Sequence, residues 1–279
     1  MNFERNESKM IERIMANKMY EKARHVLTED IICPEDFIDL YGIKTVEEDI
    51  KYVKKIEEKF KQEDSPEKQE LKKIASVLEA VVYEQIKINN WLGPEATAIK
   101  SSRYDDIKNG VDNIVEFHKE EDFSSSHLAL AIDETFSHDV DEKFKRIKEE
   151  IKRGELTQIK YFISERLNIR GELSKIPRVV IGIDAKTTKE IGELWLEKNN
   201  KDLAKHSTQF IILEEILLQL EAFKNYAEKV NQPEIASIYE KTKKILQKIY
   251  DEKENLKKLQ PALKKDGVYN SIIRNLTNF

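Results

Sequence analysis

A single cysteine, Cys33, stands among 279 residues, so an internal disulfide is excluded and a thiolate metal site has no thiol partner. Zinc fingers and disulfide scaffolds fall away, and a reducing, cytoplasmic setting is expected. Glycine and proline are scarce too, with 8 and 6 residues, while 36% of residues are charged. That balance favours long solvated helices over a loop-rich β sandwich. No apolar run approaches the roughly 20 residues of a membrane-spanning helix, and residues 1–9 are polar and mixed in charge, unlike a signal peptide. No membrane partner is expected. The net charge of −5 argues against a general nucleic-acid coat, whose affinity comes from neutralised phosphates, but leaves room for a local basic groove. The chain has no Walker lysine loop and no dinucleotide glycine fingerprint, which removes ATPase and nicotinamide-enzyme readings. Without a Gly-x-Ser-x-Gly elbow, Ser124-Ser125-Ser126 reads as loop.

What is present is a strong periodic pattern. Met10, Ile11, Ile14, Met15 and Met19 recur at helical spacing within residues 4–27, a short helical connector is predicted over 36–41, and a second helix over 45–60. Ser65-Pro66-Glu67 has the form of an N-cap, a first-position proline and a first-turn acid. A helix is predicted from there to about Trp91, closed by Gly93-Pro94. On it Ile74, Val77, Leu78, Val81, Val82, Gln85, Ile86 and Ile88 fall in one wide arc, with Glu79 and Glu84 on its opposite borders. The pattern then changes to period two. Strands are predicted at 96–100, 111–118 and 127–136, with Arg103-Tyr104-Asp105-Asp106 and Asn109-Gly110 as a turn and 119–126 as a polar loop. A helix follows over 139–153, stopped by Gly154, and the apolar runs 158–163 and 178–184 read as buried strands. Helix returns from Thr188, including a dense run from Phe210 to Phe223 that implies burial between elements, and a charged helix over 234–259. The fold class is therefore α/β: a helical N-terminal extension (1–64), a central mixed sheet in an α/β core (65–198), and a C-terminal helical extension (199–279). The last would cover the core or form a homodimer surface.

Acidic residues interrupt the central strands. Alternate strand residues share a face, so Asp112, Ile114 and Glu116 point one way from the first hairpin strand, and Ala129, Ala131, Asp133 and Thr135 share a face on the second. Aspartates set in runs such as Leu128-Ala129-Leu130-Ala131-Ile132 are costly to desolvate unless a cation or hydrogen bonds compensate. A divalent metal on carboxylate oxygens would do so, and it can also activate an attacking water. The plainer roles are a helix cap or turn for Asp133, and a turn for Asp105 and Asp106. His118, His127 and His138 match no metal spacing. Lys143, Lys145, Arg146, Lys148, Lys152 and Arg153 make one helix partly basic, but Glu142, Glu149 and Glu150 dilute that charge. A solvated, ion-paired face is the commoner meaning, and a phosphate-tracking face the alternative.

The succession of a helix carrying Glu79 (Val77-Leu78-Glu79-Ala80), a strand, a strand entered at Gly110-Val111-Asp112-Asn113, a strand carrying Asp133-Glu134-Thr135, a helix and a strand resembles the PD-(D/E)XK nuclease superfamily over about residues 66–163. The resemblance implies an αβββαβ, restriction-endonuclease-like core. It also implies metal ligation by Glu79, Asp112 and Asp133, with Glu84 as the alternative helix acid, and Mg²⁺- or Mn²⁺-dependent hydrolysis of DNA or RNA. Glu79 is preferred because apolar residues follow it at the third and seventh positions. The family's lysine, two residues after the second strand acid, is replaced by Thr135, and Lys100 and Lys160 are the candidates for a migrated amine. The alternative expectation is a non-catalytic nuclease-like module that binds protein or nucleic acid. Asn90-Trp91-Leu92-Gly93 and Pro177-Arg178-Val179-Val180-Ile181-Gly182 are also similar to segments of small uncharacterised bacterial proteins, and this second resemblance carries no function.

Overall fold

The computed structural model describes residues 2–117, 128–135, 137, 139–164, 168–259 and 265–279, with side chains from residue 10 onward apart from that of Leu128. Helix α1 (Asn2–Glu29) leads through a 3-10 turn (Pro34–Phe37) to α2 (Ile38–Tyr41), α3 (Ile43–Glu63) and α4 (Pro66–Asn89). The central region is β1 (Ala96–Lys100), α5 (Arg103–Asn109), β2 (Asn113–Phe117), β3 (Leu128–Thr135), α6 (Asp141–Lys152), β4 (Thr157–Ser164), β5 (Ile169–Ile176) and β6 (Arg178–Gly182). Helices α7 (Ala185–Leu196), α8 (Asn200–Leu203), α9 (Thr208–Lys229), α10 (Pro233–Glu252), α11 (Glu254–Lys258) and α12 (Gly267–Leu276) complete the chain. Among these helices none is long and apolar enough to cross a membrane.

A mixed sheet of four strands runs in the order β1-β2-β3-β6, with β1, β2 and β3 antiparallel and β6 parallel to β3. A parallel neighbour needs a crossover, which α6 and the β4–β5 hairpin supply. The register places Ala98 opposite Val115 and Val115 opposite Leu130, and all three face the main core, which also contains the buried face of α4. The other face carries Ile114, Ala129 and Ala131, which pack with Ile159, Phe162 and Ile176 of the hairpin. Two covered faces explain why the central strands read as nearly unbroken apolar runs.

Helix α4 starts as its sequence dictates. The Ser65 side chain accepts from the Lys68 amide, proline follows the cap, and Asn90 ends the helix in the left-handed conformation at φ 54°. The open edge of β6 is closed by side chains of α9. Gln219 accepts from Val180 N–H at 2.8 Å and donates to Val180 O at 2.6 Å, while Glu215 accepts from Gly182 N–H at 3.0 Å. A helix thereby satisfies backbone groups that an edge strand otherwise leaves open. The dense run of α9 is buried as expected: Phe210, Ile212, Leu213, Ile216, Leu220 and Phe223 are at most 1% exposed. One buried cluster extends from Met19 to Ile272 and draws on all three expected segments of the chain.

Four local expectations differ from the structure. Residues 103–109 form a helix, not a turn, because Ser102 caps it and Gly110 closes it at φ 65°. With only Tyr104 and Ile107 as hydrophobic residues, it gave no helical period to read. The strand at 157–164 does not join the four-stranded sheet; it pairs with β5, and β6 takes the place beside β3. Strand β5 was not predicted, since most of its residues are exposed or half-buried and only Gly171 and Ile176 are buried. The expected helix over 234–259 is two helices, α10 and α11.

Candidate functional site

Asp112 lies just before β2, and its carboxylate accepts from Glu134 N–H of β3 at 2.7 Å. The side chain thus continues the β2–β3 ladder by one rung and stands between two carboxylate–lysine pairs. On the α4 side, Glu79 is paired with Lys100 from the end of β1, and Lys100 also donates to Asp112 O at 2.7 Å. Lys100, Asp112 O and Asn113 lie at the same end of the sheet, and Asn113 Nδ2 donates to Glu134 Oε1 at 2.7 Å. The second pair joins Asp133 to Lys143 of α6, whose amine donates to Glu134 O at 3.1 Å. Asp106 of α5 completes the cluster, paired with Arg103, which also donates to Glu57 at 2.7 Å.

The electrostatics follow from burial and from acids outnumbering cations. Burial pushes the Glu79 carboxyl up to about 7 against the pull of Lys100, with Asp112 adding to the rise. Glu134 is raised well above the ordinary carboxyl range by burial and then by the charges of Asp112 and Glu79. Asp133 is pushed up to about 6 by burial, which Lys143 opposes and Asp112 reinforces. Asp106 is raised by burial and then by Asp112. Burial alone would lower Lys100 and Lys143, but the carboxylates around each outweigh it and hold both above the ordinary lysine value. Carboxyls pushed up and lysines pushed up together mark a site that favours added positive charge.

The structure places the sequence candidates as follows. Glu79 enters the cluster, whereas Glu84 points to α7 and accepts from the Trp195 indole N–H. Asp112 and Asp133 enter it from adjacent strands. Thr135 is buried beside Gly182 and accepts from Ser137 N–H at 3.1 Å, so it caps a turn. Of the two candidate amines, Lys100 lies in the cluster, and Lys160 instead pairs with Asp49 among the rings of Tyr41, Tyr104 and Tyr161. Asp105 is fully buried. It accepts from Lys160 N–H at 2.8 Å and Tyr161 N–H at 3.0 Å, the amides of a β4 irregularity. His118, His127, His138 and Ser124-Ser125-Ser126 lie outside the described residues. Sequence reasoning gave Asp106 no site role beyond a minor one, placed Lys143 only among the basic residues of a solvated or phosphate-tracking helix face, and gave no role to Asn113 or Glu134. For Glu134 a signal existed: it alternates with Ile132, which is directly opposite Asn113. For Lys143, a helix residue ten positions after Asp133, none did.

The donor set is hard oxygen throughout, which is the chemistry of Mg²⁺ and Mn²⁺. Two buried oxygens, Glu134 Oε2 and Asn113 Oδ1, have no hydrogen-bond partner. Acid surplus and orphaned oxygens fit a divalent cation. As the side chains stand, lysine amines hold Glu79 and Asp133, and among the described residues no three acidic, histidine or cysteine side chains are arranged to grip a metal ion. Comparison of the chain with protein-family models, with curated proteins and with solved structures finds no match in any of the three.

Proposed function

We propose that this chain is a metal-dependent nuclease of the PD-(D/E)XK type, hydrolysing phosphodiesters of DNA or RNA. The observation that carries the reading is the meeting of Glu79, Asp112, Asp133 and Glu134, from a helix and two adjacent strands, with the amines of Lys100 and Lys143 among them. The element order α4, β1, β2, β3, α6, β6 accords with the expected αβββαβ core, with α5 and the β4–β5 hairpin as insertions. Asp112, Asp133 and Glu79, together with Glu134, would hold the cation, which would supply Lewis-acid polarisation of the phosphodiester and a lowered pKa for the attacking water. Lys100 and Lys143 take the place of the missing strand lysine. Each is held above the ordinary lysine value by its carboxylates, so each would serve as a cationic donor to a phosphate oxygen or a leaving oxygen.

A second reading rests on the same ion pairs. Glu79 is matched by Lys100, Asp133 by Lys143 and Asp112 by a backbone amide, as in a non-catalytic module whose acids are structural. Melting with and without Mg²⁺ or Mn²⁺, alongside cleavage of mixed DNA and RNA, separates the two. The nuclease reading expects cleavage, and it expects a metal-dependent rise in Tm that Asp112→Asn and Asp133→Asn abolish. Metal-independent melting with no cleavage leaves the structural module.

A further inference from the structure

We infer that a polar cavity between α6, the end of α5 and the start of β4 is a phosphate-binding site. The cavity measures about 240 Å³. That is smaller than the roughly 300–1,000 Å³ of drug-sized ligand sites, so it suits one small polar group. Its wall is nearly all polar: Arg146 and Arg153 line it, with Asn109, Thr157 and Gln158 beside them. A third guanidinium, Arg178, stands behind Asn109 and donates to Asn109 O at 2.5 Å.

Two features point to a ligand. Thr157 is 4% exposed, lines the cavity, and its hydroxyl has no hydrogen-bond partner. Unmatched donors of this kind are costly unless something accepts from them. The charge balance is the second feature. Two carboxylates also lie on the wall, but Glu150 is shared by Arg178, at 2.8 and 2.9 Å, and by Arg146, at 3.3 Å, and Glu155 is taken by Arg153 at 2.9 Å. Across the cavity and the Arg178 behind it, three guanidiniums share these two carboxylates, with the charge of Asp133 also acting on Arg146 and Arg178. Arg146 and Arg178 both lie close to Gly110, where an added Cβ would come within 3.0 Å of one guanidinium and 3.4 Å of the other. Forked donors crowded in this way suit a tetrahedral oxyanion better than any apolar or cationic group.

The turn from Asn109 to Asp112 connects this cavity to the acid cluster, and the charges of Arg178 and Asp133 act on each other. The phosphate is therefore assigned to a nucleic-acid strand whose neighbouring phosphodiester lies at the cluster, an assignment that rests on the nuclease reading. A free phosphate or mononucleotide is the other source of the same chemistry.

The test uses the full chain in EDTA, so that binding is read without cleavage. Inorganic phosphate and a 5′-mononucleotide are titrated by thermal shift, and a labelled short oligonucleotide by fluorescence anisotropy. Thr157→Val and Arg153→Ala are the variants, the first isosteric and the second at an exposed position, and both should melt like wild type without ligand. Oligonucleotide affinity is expected to fall about tenfold in each, the size of one lost charge-assisted or buried hydrogen bond. Phosphate or mononucleotide binding that depends on both residues, with the oligonucleotide indifferent to them, would keep the pocket and overturn the strand as its source. Binding unaffected by either substitution, or no binding at all, would overturn the site. Dependent binding without any cleavage when metal is added would leave the site standing and remove the nuclease reading.

Discussion

Replacing Lys100 by methionine tests whether charge governs the acid cluster. Methionine keeps the apolar stem and approximate length of lysine but removes the amine that pairs Glu79 and donates to Asp112 O. The Lys100 side chain is 5% exposed and that of Glu79 19%, so solvent screens the pair little. Removing one partner of a buried pair costs about 3–5 kcal/mol, which in a chain of this size lowers Tm by roughly 6–20 °C. The loss should depend on pH. At about pH 8 the cluster's carboxyls are driven toward ionisation with one cation fewer, whereas at about pH 5 Glu79, with its pKa of about 7, is mostly neutral and needs the amine less. Urea unfolding at the two pH values should therefore give the larger loss at the higher one. Adding Glu79→Gln to the Lys100→Met chain should restore part of it, a coupling of about 0.5–3 kcal/mol. Equal losses at both pH values together with additive single-mutant effects would refute the reasoning and leave Lys100 as a space-filling residue.

Three further outcomes are expected. Carboxyls raised on folding stabilise the native state in full below their unfolded values of 4.5 and 3.8, and that contribution fades as pH climbs through the folded values of about 7 for Glu79 and about 6 for Asp133. A pH series of urea midpoints should show a decline between about pH 4 and pH 7 whose upper part is missing in Glu79→Gln. Asp105→Ala strands the amides of Lys160 and Tyr161, at about 1–3 kcal/mol each, and hydrogen exchange should speed up at those two positions first. Thr135→Lys, which puts a lysine where the PD-(D/E)XK resemblance expects one, should lower stability by more than about 1–3 kcal/mol and add no cleavage, because the position is buried against Gly182 with no room for the longer side chain. A Thr135→Lys chain that melts normally and gains activity would show that the cluster has been placed on the wrong face.

The sequence by itself determined the elements whose signals are local. Ser65-Pro66 opens α4 because caps act within one turn, and the stop expected at Gly93-Pro94 falls just past the Asn90 cap; the alternation along 113–117 and 128–135 set which residues share a face because the strand period is two. It also brought Glu79, Asp112 and Asp133 forward as candidates, since acids among apolar residues stand out in any linear reading. Only the tertiary structure decided which partners they meet. Lys100 and Lys143 reach their carboxylates across 21 and 10 residues of chain, on long side chains whose direction no local rule fixes. Glu79 and Glu84 sit on the two borders of one helix face, and the packing of α7, which brings Trp195 to Glu84, separates their roles. The strand beside β3 was equally out of reach, because β4 and β6 are similar short apolar runs. Their places follow from the hairpin's own pairing with β5 and from Gln219 and Glu215 closing the edge that β6 occupies.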